Sequence, residues 1–129
     1  MKNKKHKSSS FTLEEFIPYR LAVLAKSVSA AFSKTYVKRF GITVPQWRVM
    51  EAVGRAPNCT ASSIVEHTAM DKVQVSRAVA GLLVMKYLES HLNENDRRSA
   101  VLNFSEEGQS VYNQIVPAGL DFEAKLMSV

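Results

Sequence analysis

The chain has 129 residues, 46% of them hydrophobic and 22% charged, enough for one hydrophobic core without disulfide or metal support. The single cysteine, Cys59, excludes an intramolecular disulfide and a cysteine-based zinc site, and no apolar run approaches the ~18 residues of a membrane span. The net charge of +5 is concentrated at the start: Lys2, Lys4, Lys5 and Lys7 supply most of it, and residues 8–129 carry thirteen basic against twelve acidic side chains, which excludes a uniformly basic body.

Lys2 to Ser10 has no apolar residue to bury, so residues 1–10 are expected to form a disordered basic tail, either solubilising or an arm for nucleic acid. The N-terminus also lacks the apolar core of a secretory signal, and a reducing cytoplasm suits the cysteine usage. Residues 11–129 then form the folded domain. Thr12 and Glu15 have the spacing of a capping box, with Phe11 and Phe16 at the staple positions. Pro18 either kinks this first helix or restarts it as a first-turn proline. Ile17, Leu21, Leu24, Val28, Ala31 or Phe32, Tyr36 and Phe40 recur in steps of three and four, one face of a long helix. Lys38 and Arg39 suit its negative end and Gly41 a left-handed cap.

A second helix opens on the Thr43/Gln46 box, with Pro45 in its permissive first turn and Trp47, Met50 and Val53 as its inner stripe. Trp47 is read as core rather than as a ligand platform. Pro57 and Asn58 end this helix. Thr60 caps a short third helix over Ala61 to His67, with Ile64 and Val65 buried. Asp71 and Gln74 form a further box and open a fourth helix to about Lys86. Val75, Val79, Leu82 and Lys86 share one face. At about 100° per residue, Val73, Arg77, Ala80 and Val84 lie opposite, flanked by Gln74. Two short helices joined by three or four residues, the second polar at its exposed start, suggest a helix-turn-helix.

After Tyr87 the period changes. Leu88, Ser90 and Leu92 alternate with Glu89 and His91, Asn93 to Arg98 form a polar turn, and Val101 to Phe104 return as a second strand. A helix-turn-helix followed by a hairpin is a winged helix, so the fold class is mainly α with a small β-hairpin wing. Ser105 caps a last helix, with Glu106 and Glu107 near its positive end and Pro117 and Gly119 expected to bend it. Val111, Tyr112, Ile115, Phe122 and Leu126 give it an apolar face.

Three segments in order resemble the MarR (multiple-antibiotic-resistance regulator) family of bacterial transcription factors. They are Gly41-Ile42-Thr43-Val44-Pro45-Gln46-Trp47-Arg48-Val49, then Asp71-Lys72-Val73-Gln74-Val75-Ser76-Arg77, then Asp96-Arg97-Arg98-Ser99 ahead of Leu102-Asn103-Phe104-Ser105-Glu106-Glu107-Gly108. The resemblance covers about residues 12–129. It implies a winged-helix homodimer paired through its terminal helices, here 11–40 and 105–129. The fourth helix would enter the major groove and the wing the flanking minor groove. It also implies that a small molecule, often a phenolic or aromatic acid, weakens DNA binding. Where the family often ends the recognition helix on Gly this chain has Tyr87, and where it often has Arg near the end of the first wing strand there is His91. The family's last helix usually runs further, so the native protein is expected to continue for one to three helical turns or more.

The residues themselves carry that chemistry. Arg77 lies opposite the core face, so it is a solvated helix arginine, a bidentate reader of guanine or a phosphate holder. Gln74 has the groups to pair with adenine, and Val73 or Ala80 to touch a thymine methyl. Lys72 and Ser76 are placed for phosphates. Arg97 and Arg98 are either a solvated pair or the wing's contacts, with Arg97 the better candidate for a narrow, negative minor groove. Asp96 disfavours phosphates; it either holds Arg77 or Arg98 in place or is a plain turn aspartate. Tyr19, Phe32 and Tyr36 suit core or dimer seam before a pocket. His6, His67 and His91 are too scattered for a metal site, and Cys59 lacks the neighbours of a redox sensor. No catalytic set emerges, so neither an enzyme nor a cofactor is expected. The expected function is a sequence-specific regulator, a repressor whose homodimer holds a pseudo-palindromic operator in double-stranded DNA and yields it to a small aromatic ligand. The alternative is a winged helix used for protein interaction without an operator.

Overall fold

The computed structural model describes residues 11–95 and 98–128. The expected disordered tail lies outside these residues, as do Asp96, Arg97 and Val129. The described chain is mainly helical with one two-stranded antiparallel hairpin. It forms two compact units, one ending at Phe32 and the other beginning at Ser33. No helix among the described residues is long and apolar enough to cross a membrane.

The first unit corrects one expectation. Thr12 and Glu15 do not form a capping box: the segment is a short 3-10 turn over Leu13–Glu15, with no cap bond from the Thr12 side chain and with Phe16 in extended backbone. Pro18 supplies the reason. An α-helix begun at Leu13 would need an N–H from residue 18 to reach the Glu14 carbonyl, and proline has none and crowds that carbonyl besides. The α-helix α1 (Ile17–Phe40) therefore starts anew with Pro18 in its first turn, where no donor is required. Phe11 and Phe16 still meet edge to face, their ring centres 5.1 Å apart. Ile17, Leu21 and Leu24 are exposed.

The second unit holds the rest of α1 and all that follows. Gly41 sits at φ 73°, a left-handed conformation glycine adopts without strain, and its N–H donates to the Val37 carbonyl at 2.8 Å. Helix α2 (Val44–Arg55) opens on the expected box: the Gln46 N–H donates to Thr43 Oγ1 at 3.2 Å and the Thr43 N–H to Gln46 Oε1 at 2.9 Å. Next come α3 (Ala61–His67), α4 (Lys72–Val84), β1 (Leu88–Leu92), β2 (Ala100–Phe104) and α5 (Glu106–Met127). The strands pair from Leu88 opposite Phe104 to Leu92 opposite Ala100. Tyr36, Met50, Ile64, Leu82, Leu102 and Ile115 are buried, one each from the five helices and β2, so one core joins them. An aromatic column runs through this unit. Tyr36 lies 5.6 Å from Trp47, Trp47 5.8 Å from Tyr112, and Tyr112 5.0 Å from Phe104, between ring centres. Trp47 is thus a packing residue.

Lys86 does not belong to the core face of α4. The helix stops at Val84, and Lys86 is exposed at φ 65°. Its N–H donates to Leu83 O at 3.0 Å and that of Tyr87 to Leu82 O at 3.0 Å, the paired bonds of a left-handed helix stop. The left-handed position is therefore Lys86 and not Tyr87. Tyr87 instead turns inward, its hydroxyl donating to the Phe40 carbonyl at 3.3 Å. Ser105 caps α5 as expected, accepting the Gly108 N–H at 2.9 Å, and donates its hydroxyl to Lys86 O at 2.6 Å. The helix runs without interruption through Pro117.

Candidate nucleic-acid interface

Helices α3 and α4 are held at their starts by side chains. The Ser63 N–H donates to Thr60 Oγ1 at 3.2 Å and the Thr60 N–H to Ser63 Oγ at 3.0 Å. This is a second reciprocal cap that sequence reading missed, because Ser63 stands where Glu or Gln is usual. At α4 the Gln74 N–H donates to Asp71 Oδ1 at 2.8 Å and the Asp71 N–H to Gln74 Oε1 at 3.2 Å. In the link between the helices Met70 is buried and the Thr68 hydroxyl donates to Ile64 O at 2.8 Å. Both helix starts and the turn are therefore fixed without a ligand.

The inward face of α4 is Val75, Ala78, Val79 and Leu82, all buried. With that face committed, the 3.6-residue period turns Val73, Arg77, Ala80 and Val84 outward, and all four are exposed. Arg77 is exposed, and among the described residues no hydrogen bond or ion pair engages it. Lys72 and Ser76 are exposed beside it and, with Ser62 and Val65, line a cleft of about 290 Å³ between α3 and α4. An ammonium and two hydroxyls there suit a phosphate oxygen.

The wing is joined to this pair by more than chain connectivity. Asn58, at φ 60°, donates its N–H to Asn103 Oδ1 at 2.9 Å and accepts from Asn103 Nδ2 at 2.8 Å. Next to it, the Leu102 N–H donates to Cys59 O at 2.7 Å, so Cys59 bridges to β2 like a fragment of a third strand. Sequence reading placed Asn58 only at a helix end; its tolerance of left-handed backbone was the available signal. A second groove of about 290 Å³ lies between the helix pair and the wing, lined among others by Ser62, Ser90, Arg98 and Ser99. Arg98 is exposed there. Asp96 and Arg97 lie outside the described residues. The structure thus brings Lys72, Val73, Ser76 and Arg77 onto one exposed side of α4, and sets Arg98 at the wing.

Other groups are placed for packing. Burial pushes the Cys59 thiol above its usual range, which disfavours the reactive thiolate. The phenols of Tyr36, Tyr87 and Tyr112 are likewise raised by desolvation. Among the described residues no cluster of His, Cys, Asp or Glu has the makings of a metal site.

Residues 40–99 match the family model of the MarR family, a stretch that opens at the end of α1 and closes in the wing turn. That segment of the chain is similar to the MarR family. A MarR/EmrR-family transcriptional regulator from Acinetobacter sp. ADP1 superposes with a TM-score of 0.81 at 26% identity, over 92% of this chain and 83% of that one. BpsR of Bordetella bronchiseptica, whose DNA binding is regulated by 6-hydroxynicotinic acid, superposes with a TM-score of 0.78 at 21% identity, over 89% and 81% of the two chains. The HTH-type transcriptional regulator BilQ of Clostridium symbiosum (strain WAL-14163) is 22% identical over 97 residues, which is 75% of this chain and 67% of BilQ. By that likeness of fold, α3 and α4 correspond to a helix-turn-helix and β1–β2 to the wing of a winged helix.

Proposed function

We propose that this protein is a regulator of the MarR type that binds a pseudo-palindromic operator as a homodimer, represses by occupying it, and is released by a small aromatic ligand in the cytoplasm. The observation that carries the DNA contact is Arg77, an exposed cation on the outward stripe of a helix whose other face is fully committed to the core. A guanidinium reads guanine O6 and N7 bidentately, the commonest specific contact in the major groove. Lys72 and Ser76 beside it, and Arg98 on the wing, supply contacts to the backbone. Arg97 is assigned to the minor groove from its residue type and place in the sequence.

Two further parts of the proposal have separate support. Pairing of subunits is favoured by the exposed apolar side chains Ile17, Leu21 and Leu24 on α1 and, at the end of α5, by Leu120, Leu126 and Met127, because contiguous exposed apolar surface marks an interaction site. The effector is supported by the likeness to BpsR, whose DNA binding an aromatic ring acid regulates.

Fluorescence anisotropy on short duplexes tests the reading. Affinity should fall steeply as salt rises, in proportion to the phosphates neutralised. Arg77→Ala should lose about 1–3 kcal/mol and relax preference at one position per half-site, whereas Arg97→Ala should lower the salt slope. Unchanged operator affinity in both variants would overturn the assignment. A protein that retains no duplex at low salt would instead be a module for protein partners.

A further inference from the structure

We infer that Val73 reads the 5-methyl group of a thymine, so that each half-site of the operator is recognised as a guanine and a thymine one or two steps apart. The inference rests on the DNA-binding reading above and adds what the helix reads. Among the described side chains beside the outward stripe, Gln74 carries the amide that could pair bidentately with adenine. Its oxygen is already turned back onto the Asp71 N–H, at 3.2 Å, in the reciprocal cap that holds the start of α4. A bidentate pair with adenine needs the amide oxygen and nitrogen side by side on one base edge, which would require the cap to open.

The outward stripe then offers two chemistries. Arg77 provides donors, which suit the acceptor edge of guanine. Val73, Ala80 and Val84 provide carbon alone, and no acceptor stands among them. Adenine N6 and cytosine N4, the donor edges, find no partner on the stripe itself, with the Ser76 hydroxyl beside it assigned to a phosphate, whereas thymine presents a methyl that rewards apolar contact. Val73 is the carbon group best placed for it. It lies in the first turn of α4, the end with which recognition helices meet base edges. At 58% exposure the branched side chain is more open than an apolar residue would be if the fold used it. Val73 precedes Arg77 by one helical turn, about 6 Å along the axis, against about 3.4 Å per base step. That rise sets the spacing of one to two steps.

Uracil differs from thymine by that methyl alone, so the swap isolates the contact. The full chain is used to select duplexes from a random pool, and the recovered duplex is remade with deoxyuridine in place of the half-site thymine. Wild-type affinity should fall about 4-fold per substituted half-site and about 15-fold when both are substituted, the loss expected for one buried methyl-sized group. Val73→Ala keeps a strong helix former in place and should bind thymine and uracil duplexes alike. Arg77→Ala should keep the thymine preference while losing discrimination at the guanine. Equal wild-type affinity for both duplexes, a thymine preference that survives Val73→Ala, or a recovered half-site without thymine beside its guanine each overturns the inference while leaving DNA binding intact. Failure to recover any duplex overturns the DNA-binding reading itself, and this inference with it.

Discussion

Lys86 holds a left-handed backbone at φ 65°, where a side chain's Cβ crowds the following carbonyl at a cost of roughly 1–2 kcal/mol. Glycine removes that crowding but loses about 0.5–1 kcal/mol more chain entropy on folding. Lys86→Gly should therefore stabilise the protein by about 0.5–1 kcal/mol in urea melts, because the bond that Ser105 donates goes to the backbone carbonyl and survives. Asn58 shares the conformation but not the outcome. Its side chain accepts from Asn103, so the corresponding glycine would lose a contact and gain nothing net. Cys59 gives a second residue-level expectation. Its thiol is buried and pushed up by desolvation, so the neutral form persists at neutral pH. Labelling by a thiol reagent should be slow in the native protein and rapid after unfolding; rapid native labelling would contradict the burial.

At the scale of elements, side chains fix the starts of α4 and α5, and Ser105 also ties the start of α5 to the stop of α4 at Lys86. Asp71→Ala removes the acceptor for the Gln74 N–H and should cost about 1 kcal/mol, measured as a lower melting temperature. Gly108→Ala should cost more, about 1–3 kcal/mol, because a Cβ there would run into the backbone carbonyl of Tyr87, which also accepts from the Ser105 N–H. A melt that Gly108→Ala leaves unmoved would mean that this contact yields easily. Much of this architecture was legible in the sequence because its signals are local. Thr43/Gln46, Asp71/Gln74 and Ser105 are caps written in a few adjacent residues, and the hairpin shows as a change of period after Tyr87. What escaped depends on contacts distant in sequence or on competition. The Cys59–Leu102 bridge and the Asn58–Asn103 pair join segments with no common pattern. The Thr12/Glu15 signal was real in spacing but lost to the missing donor of Pro18. Lys86 fitted the spacing of α4's core face, yet the helix stops before reaching it. The outward stripe of α4 was legible as geometry, and the Asp71/Gln74 box already implied that the Gln74 oxygen turns back onto the helix start.

For the whole molecule, the proposed operator specificity would have to come from one short helix and one wing. Few side chains on α4 face outward, and a single copy offers too few contacts for tight sequence-specific binding at physiological salt. Two copies related by a two-fold axis would double the contacts and could read a pseudo-palindrome with half-sites about one DNA turn apart. The apolar side chains that the chain leaves exposed supply a reason for such pairing. Leu21 and Leu24 are 60% and 58% exposed on a helix that a chain functioning alone would have no cause to make apolar. Leu21→Glu with Leu24→Glu would place four carboxylates in a two-fold seam, where burial without partners is costly, while leaving the second unit's buried core untouched. Light scattering should then show a dimer for the unaltered chain at micromolar concentration and a monomer for the double variant. The variant should lose most of its affinity for a palindromic duplex but retain its weak affinity for a single half-site. A double variant that stays dimeric would move the seam away from this part of α1. A wild-type monomer that binds the palindrome tightly would remove the need for pairing altogether.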